Sequence, residues 1–216
     1  MTFLILIISK SGYSQNHDFG IWYEINSEFA VNKKLELDLS AMIRTYDNAS
    51  KTEQAFLEAG LSYKFSKFIS IAGSYRLTNN IEDDELFHLR HKFMSDVNGS
   101  MPIKDFVLSA RIRLQTQTRT YYEPGDDKTP DFTGRFRLKC LYNIPKFPVN
   151  PYFAFESFSP LFVNSNRIFG KERITAGLEY KIIKKHSVEI EYIFERDYIP
   201  RISDLSIISV SYNVKF

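Results

Sequence analysis

The chain has 216 residues, of which 44% are hydrophobic, 25% charged and 15% aromatic, and its formal net charge is +2. This apolar fraction argues against disorder and allows one ordinary domain, and the near balance of charges gives no reason to expect nucleic acid as a partner. The mean hydropathy of -0.27 and the lack of a long apolar window exclude membrane-spanning helices. The many Phe and Tyr and the few Gly and Pro instead favour strands.

The chain opens with MTFLILIISKSGYSQ, a compact apolar run followed by small and polar residues. This order resembles a secretory signal peptide, so we predict a cleaved signal over residues 1–15 and one mature domain over 16–216. A buried first strand is the alternative. The single cysteine, Cys140, excludes an internal disulfide and a cysteine metal cluster.

From there on, apolar and polar residues alternate with a period of two, the pattern of strands whose two faces meet different surroundings. The alternation predicts strands near residues 19–30, 35–46, 53–65, 68–78, 86–99, 106–119, 132–144, 150–158, 171–182, 187–198 and 204–216. Most exceed the roughly 5–6 residues of a soluble strand and suit the roughly 9–11 residues that cross a bilayer. Short turns alternate with longer polar loops, as in outer-membrane barrels.

We therefore predict an all-β fold, a closed antiparallel transmembrane β-barrel, because lipid offers no partner to an unpaired sheet edge. If both termini lie at the periplasmic rim, the number of strands must be even. Twelve strands is the prediction, with the missing strand inside residues 159–170, and ten is the alternative, with residues 17–30 outside the wall. A soluble β-sandwich is the alternative fold.

Aromatic residues cluster at the predicted strand ends, as in the two girdles of a membrane barrel. On the short-turn side these are Phe29, Phe65, Phe68, Phe106, Tyr142, Tyr152 and Phe216, and on the long-loop side Tyr46, Phe87, Tyr121, Tyr122, Phe132, Phe158 and Tyr198. The last strand resembles the terminal signal that the barrel-assembly machinery reads during insertion. Its apolar residues are Val210, Tyr212, Val214 and Phe216. Outer-membrane lipid is the other expected partner.

With the polar face turned inward, the lumen is predicted to divide by charge. The basic lumen-lining residues are Arg76, Arg90, Lys92, Arg111, Arg113, Arg119, Arg135, Arg137 and Lys139. The acidic ones are Glu36, Asp38, Glu58, Glu156, Glu179, Glu189, Glu191, Glu195 and Asp197. Opposed walls of opposite charge would orient and select small polar solutes in a pore, or would pair across a narrow lumen and close it as a plug.

Few residues suggest chemistry. His88 and His91 point to opposite faces of a strand, so they cannot chelate one metal. Asp126 and Asp127, in a loop with a Pro-Gly turn signal, could bind a cation, but their spacing matches no calcium loop. No nucleophile elbow, phosphate-binding loop or zinc-protease motif occurs. We predict no enzyme activity, no metal and no cofactor.

Three segments carry a resemblance: Asp18-Phe19-Gly20-Ile21-Trp22, Lys33-Lys34-Leu35 and Arg44-Thr45-Tyr46-Asp47-Asn48. With the alternation and the terminal aromatic, the mature chain resembles an uncharacterised outer-membrane β-barrel family known as domain of unknown function 2490. The resemblance implies an outer-membrane barrel of a Gram-negative bacterium. It brings no activity and no catalytic residues.

Three functional hypotheses remain open. The first is a narrow, porin-like channel for small polar solutes, selective through its charged walls. The second is a closed structural or accessory barrel that acts as a subunit of a larger complex with other outer-membrane proteins. The third, a membrane-embedded lipid hydrolase, has the weakest support because no suitable Ser and His pair is evident.

Overall fold

The computed structural model describes residues 16–82, 84–122, 128–162, 168–199 and 202–216. This part of the chain contains eleven strands: β1 (Asn16–Ala30), β2 (Leu35–Tyr46), β3 (Lys51–Lys64), β4 (Ile69–Ile81), β5 (Phe87–Ile103), β6 (Phe106–Arg119), β7 (Asp131–Tyr142), β8 (Val149–Leu161), β9 (Lys171–Ile183), β10 (His186–Asp197) and β11 (Ser203–Lys215). No helix within these ranges is long and apolar enough to cross a bilayer. The predicted signal peptide, residues 1–15, lies outside the described residues.

The strands close into a barrel in chain order, each hydrogen-bonded antiparallel to the next. The closing pair differs, because β1 runs parallel to β11, with Gly20 opposite Ile207 and Tyr23 opposite Val210. The predicted closed barrel is confirmed, and the parallel seam removes the last free sheet edge.

The number of strands in the described residues is eleven, where twelve was predicted and ten was the alternative. The even number required both termini to lie at the short-turn, periplasmic rim, whereas β1 begins at the long-loop rim, where the backbone N–H of Ala49 donates to the carbonyl of Phe19. Because β1 starts at the same rim as β11, an odd number closes the barrel through one parallel pair. In the region predicted to hold a further strand, β8 already extends to Leu161, and residues 163–167 lie outside the described part.

The two rims differ in the length of their connections. At the short-turn rim, β1 and β2 are joined by residues 31–34, where the Asn32 side-chain oxygen accepts hydrogen bonds from the backbone N–H groups of Lys34 and Leu35, at 2.8 and 3.0 Å. The described residues between strands at the long-loop rim are 47–50, 82, 84–86, 120–122, 128–130, 162, 168–170, 198–199 and 202. Local side-chain bonds of this kind explain why turn residues such as Asn interrupt the alternation.

The alternation separates an apolar outer face from a polar lumen. Leu57, Phe93 and Ile112 point outward and are 65%, 57% and 56% exposed. Lumen-facing residues on the neighbouring strands are buried, among them Asp96, Arg113 and Glu156. This is the reverse of a water-soluble protein, in which apolar side chains turn inward.

Aromatic pairs mark both rims of the outer face. At the short-turn rim Phe29 stacks on Phe216 with ring centroids 4.5 Å apart, and Phe106 packs against Tyr142 at 4.9 Å. Phe132 meets Phe162 at the long-loop rim.

Tyr152 was predicted to belong to the short-turn girdle, and this is wrong. Its ring is buried in the lumen, where its hydroxyl bonds Glu189 and Glu191. Its register partner, Gly177, makes room for the ring, since a Cβ there would lie 2.4 Å from it. Phe158, predicted for the long-loop girdle, also lines the lumen cavity, and both side chains lie on the same face of β8 as Glu156, so the alternation itself places them in the lumen.

The terminal strand is anchored at the seam. The backbone N–H of Phe216 donates to the carbonyl of Glu28 at 2.8 Å, and Val210, Tyr212 and Val214 alternate along β11 as the sequence predicts. Recognition of this strand by the assembly machinery stays a prediction.

Candidate functional site

One polar cavity of about 840 Å³ occupies the lumen. All eleven strands contribute to its lining. It reaches from Asn26 and Asn213, toward the short-turn rim, to Asn80 and Pro160, toward the long-loop rim. The cavity therefore extends along much of the barrel axis.

Most of the predicted basic residues line this cavity: Arg76, Arg90, Lys92, Arg111, Arg113, Arg135, Arg137 and Lys139. Arg119 lies instead near the long-loop rim, 3.5 Å from Asp131. Of the predicted acidic residues, Glu156, Glu189, Glu191 and Asp197 line the cavity. Five share the lumen-facing alternation but lie outside the lining: Glu36, Asp38, Glu58, Glu179 and Glu195.

Ion pairs between neighbouring strands hold several of these charges. Arg113 grips Asp96 with two hydrogen bonds of 2.6 Å, and both side chains are more than 90% buried. Arg76 bonds Glu58 at 2.6 Å. These charge-assisted hydrogen bonds offset the free energy that is lost when both charged groups are removed from bulk water.

Glu156 is shared by three guanidinium groups. Arg111 and Arg135 reach one carboxylate oxygen at 2.8 and 2.9 Å, and Arg173 approaches the other at 3.7 Å. Arg173 also bonds Glu195 at 2.5 Å, which Lys171 approaches at 2.6 Å. Asp197 completes this network through Lys171, so four cations share three carboxylates and the lumen around Glu156 keeps an excess of one positive charge.

The charges do not divide cleanly between two walls. Arg44 and Arg173 line the cavity on β2 and β9, where mainly acidic residues were predicted. Asp96 lies on the wall predicted to be basic. Arg44 could have been identified from the sequence, since it shares the alternation of Glu36 and Asp38. The arginines instead form a belt around the lumen near the middle of the strands, which we call the arginine-rich belt. Its members are Arg44, Arg76, Arg111, Arg113, Arg135, Arg137 and Arg173.

An apolar cluster occupies the lumen beside the seam. It consists of the buried side chains of Trp22, Met42, Phe56, Ile193 and Ile207. Two arginines of the belt cover its aromatic rings, Arg44 at 3.8 Å from the centroid of Trp22 and Arg76 at 3.7 Å from that of Phe56. Cation–π contacts of this kind fix the guanidinium groups at the boundary between the cluster and the cavity.

Two segments that carry the family resemblance meet between β1 and β2. The Asp18 carboxylate accepts hydrogen bonds of 2.9 Å from the backbone N–H groups of Asp47 and Asn48, which both have positive φ. Gly20 passes so close to Thr45 that a Cβ would lie 2.5 Å from its carbonyl oxygen. These residues shape the loop and so position Trp22 beneath Arg44.

No group of three His, Cys, Asp or Glu side chains in the described ranges could hold a metal ion. His88 bonds Asp84 near the long-loop rim, whereas His91 bonds Tyr75 on the outer face. Asp126 and Asp127 lie outside the described residues.

Comparison with known proteins places the fold. The β domain of the Bordetella autotransporter Brka superposes with a TM-score of 0.55 at 11% identity, over 86% of this chain and 85% of that one. Pseudomonas aeruginosa OccK11 (OpdR) gives a TM-score of 0.38 at 13% identity, over 79% of this chain and 52% of that one, too low to support an argument. No curated protein matches the chain significantly. The model of the family described as "Protein of unknown function (DUF2490)" matches residues 19–202, and the chain belongs to that family.

Proposed function

We propose that the protein is an outer-membrane β-barrel that conducts small polar solutes through its charged lumen, with a preference for anions. The observation that carries the proposal is the cavity of about 840 Å³, which all eleven strands line with mostly polar side chains. A barrel filled only to support its own wall has no need of so large a polar interior.

The outer surface supports placement in a bilayer. The strands are 12 to 17 residues long, enough to cross the hydrocarbon core when tilted. Their outer face is apolar and is flanked by aromatic pairs at both rims. Closure of the sheet pairs the backbone groups that lipid could not satisfy.

The arginine-rich belt supports the preference for anions. Fixed charges at a narrow point of a pore select ions of the opposite sign. The network around Glu156 holds four cations and three carboxylates, and Arg137 lines the cavity without a carboxylate in ion-pair distance among the described residues. Mobile anions are therefore expected to complete the charge balance of the lumen.

Single-channel recording tests the proposal. Purified, detergent-refolded protein is inserted into a planar bilayer, and we expect stable conductance steps. Arg137→Gln is expected to weaken the preference for anions, whereas Lys67→Gln, at an exposed turn, removes the same charge and leaves it unchanged. Absence of steps from folded wild-type protein would refute the channel.

The second candidate is a closed accessory barrel that binds other outer-membrane proteins. It is favoured by the apolar cluster and by the ion pairs between neighbouring strands, which together fill part of the lumen. Its test is the same recording combined with crosslinking in intact outer membranes. Silent, folded barrels that crosslink to a defined outer-membrane protein would support it over the channel.

A further inference from the structure

Lys92 stands apart from the other lumen cations. It lies on β5, half-buried, and lines the central cavity. Its register partners are Arg76 on β4 and Gln117 on β6, so neither neighbouring strand offers it a carboxylate. No acidic side chain within the described ranges lies within ion-pair distance of its ammonium group.

The charged groups that act most strongly on Lys92 are all cations: Arg76, Arg44, Arg135 and Arg90. Three of these arginines have carboxylate partners of their own, Glu58 for Arg76, Glu156 for Arg135 and Glu82 for Arg90. Those carboxylates are therefore already engaged by arginines.

Arg44 is the second cation of this group without an ion-pair partner among the described residues. Its guanidinium lies over Trp22, and its Nε contacts the sulfur of Met42 at 3.1 Å. Glu24 and Glu53 also line the cavity, but neither lies within ion-pair distance of Arg44. The remaining donors of Arg44 thus stay available to a solute.

Neutral donors adjoin these cations. Gln115 and Gln117 line the cavity on β6, and the amide oxygen of Gln115 already accepts from Arg135 at 3.3 Å. The amide nitrogen of Gln115 can therefore donate to a solute. An ammonium group, a guanidinium fork and amide N–H groups together match a small anion with several acceptor oxygens.

We propose that Lys92 and Arg44 bind a small oxyanion with two negative charges, of the orthophosphate class. The amide of Gln115 and the guanidinium N–H groups of Arg76 and Arg135 that their carboxylate partners do not use would donate further hydrogen bonds to it. This site deepens the proposed channel function, on which it rests for the access of solute to the lumen. Two negative charges balance Lys92 and Arg44, the two cations of this group without carboxylate partners among the described residues, and several oxygens use donors that approach from different strands.

The single tryptophan of the chain provides the readout. Trp22 is buried in the lumen, and Arg44 lies 3.8 Å from its ring centroid. An anion that draws Arg44 toward Lys92 changes the surroundings of this indole. Trp22 fluorescence of the detergent-refolded protein is titrated with inorganic phosphate, and with potassium chloride at equal ionic strength as the reference.

We expect a saturable response to phosphate beyond that to chloride. Lys92→Gln should weaken the apparent affinity by about tenfold or more, the effect of losing one charge-assisted hydrogen bond. Lys92→Arg keeps the charge and should retain binding, and Lys67→Gln should leave the affinity unchanged. Circular dichroism and heat-dependent electrophoretic mobility establish that each variant is folded.

The result separates the site from the channel. A phosphate response equal to that of chloride, or one that Lys92→Gln leaves unchanged, overturns the oxyanion site even if the barrel conducts. Saturable binding that depends on Lys92 in a barrel without conductance supports the site and refutes the channel.

Discussion

The side of the lumen next to the seam between β1 and β11 differs from the wall formed by β4–β8 in the side chains that occupy the interior. Beside the seam, Trp22, Phe56 and Ile207 fill the interior with apolar contacts. Across from them, Arg113, Glu156 and their partners leave a polar cavity. One side of the lumen therefore stabilises the barrel by packing, while the other retains space and charge for a solute.

The largest effect is expected where the apolar cluster is broken. Phe56→Ala removes a ring that is 3% exposed and should destabilise the barrel by about 3–5 kcal/mol. Thr133→Ala, in the polar cavity, should change stability by no more than about 0.5 kcal/mol. Guanidinium unfolding in lipid vesicles measures both, and equal losses would show that the two sides do not differ.

A charge on the outer face should be nearly as damaging. Leu57 follows Phe56 on β3 but points outward. Leu57→Arg should therefore destabilise the barrel by about 2–4 kcal/mol, the cost of an arginine on the lipid face at the bilayer midplane. Ser40→Arg faces the lumen opposite Glu58 and should cost less than about 1 kcal/mol. Vesicle unfolding again provides the measurement. A tolerated Leu57→Arg would contradict contact of this face with lipid.

The polar wall should be sensitive to loss of a buried partner. Asp96→Asn leaves Arg113 without its carboxylate and should cost about 2–3 kcal/mol, low in the range for buried pairs because water in the cavity can solvate the guanidinium. Asp47→Asn breaks the exposed pair with Lys51 and should have little effect. Similar losses in the free energy of unfolding for the two variants would mean that water solvates the buried pair as well as the exposed pair at the rim.

The smallest effect is expected at the long-loop rim. Slight burial opposes ionisation of Asp84, but hydrogen bonds from His88 and the backbone of Leu86 prevail and hold its pKa below the ordinary value of 3.8. A carboxylate whose pKa is lowered in the folded state stabilises the fold at pH values above its ordinary pKa. This contribution disappears as the pH falls through the pKa of the folded state. In an NMR titration, His88→Ala should move the midpoint of Asp84 up toward 3.8. An unchanged midpoint would exclude His88 as the cause.

The fold was predictable because successive residues of a strand point to opposite faces of the sheet. Alternation of apolar and polar residues over long strands therefore indicates a sheet with one face toward lipid and the other toward a polar lumen. The same alternation located eleven strands, the number that the described residues contain, and only the assumption that both termini lie at one rim raised the predicted number to twelve. The same alternation places Tyr152 in the lumen, since it lies on the face of β8 that carries Glu156, whereas the space that Gly177 leaves for its ring depends on the neighbouring strand.

The candidate site was predictable in its residue types more than in its arrangement. Alternation identifies Lys92 and Arg135 as lumen-facing, but the pairing of Arg135 with Glu156 and the isolation of Lys92 arise from register between strands. Arg44 shares the alternation of Glu36 and Asp38, so the sequence places it in the lumen, but its contact with Trp22 depends on the register between β1 and β2.

The reversal potential of single channels in asymmetric potassium chloride is the sharpest test of anion selection by the lumen. We expect stable conductance steps whose reversal potential lies toward that of chloride, because the arginine-rich belt outnumbers its carboxylates. A reversal potential toward that of potassium would contradict selection by this belt, and folded barrels that never conduct would contradict the channel itself.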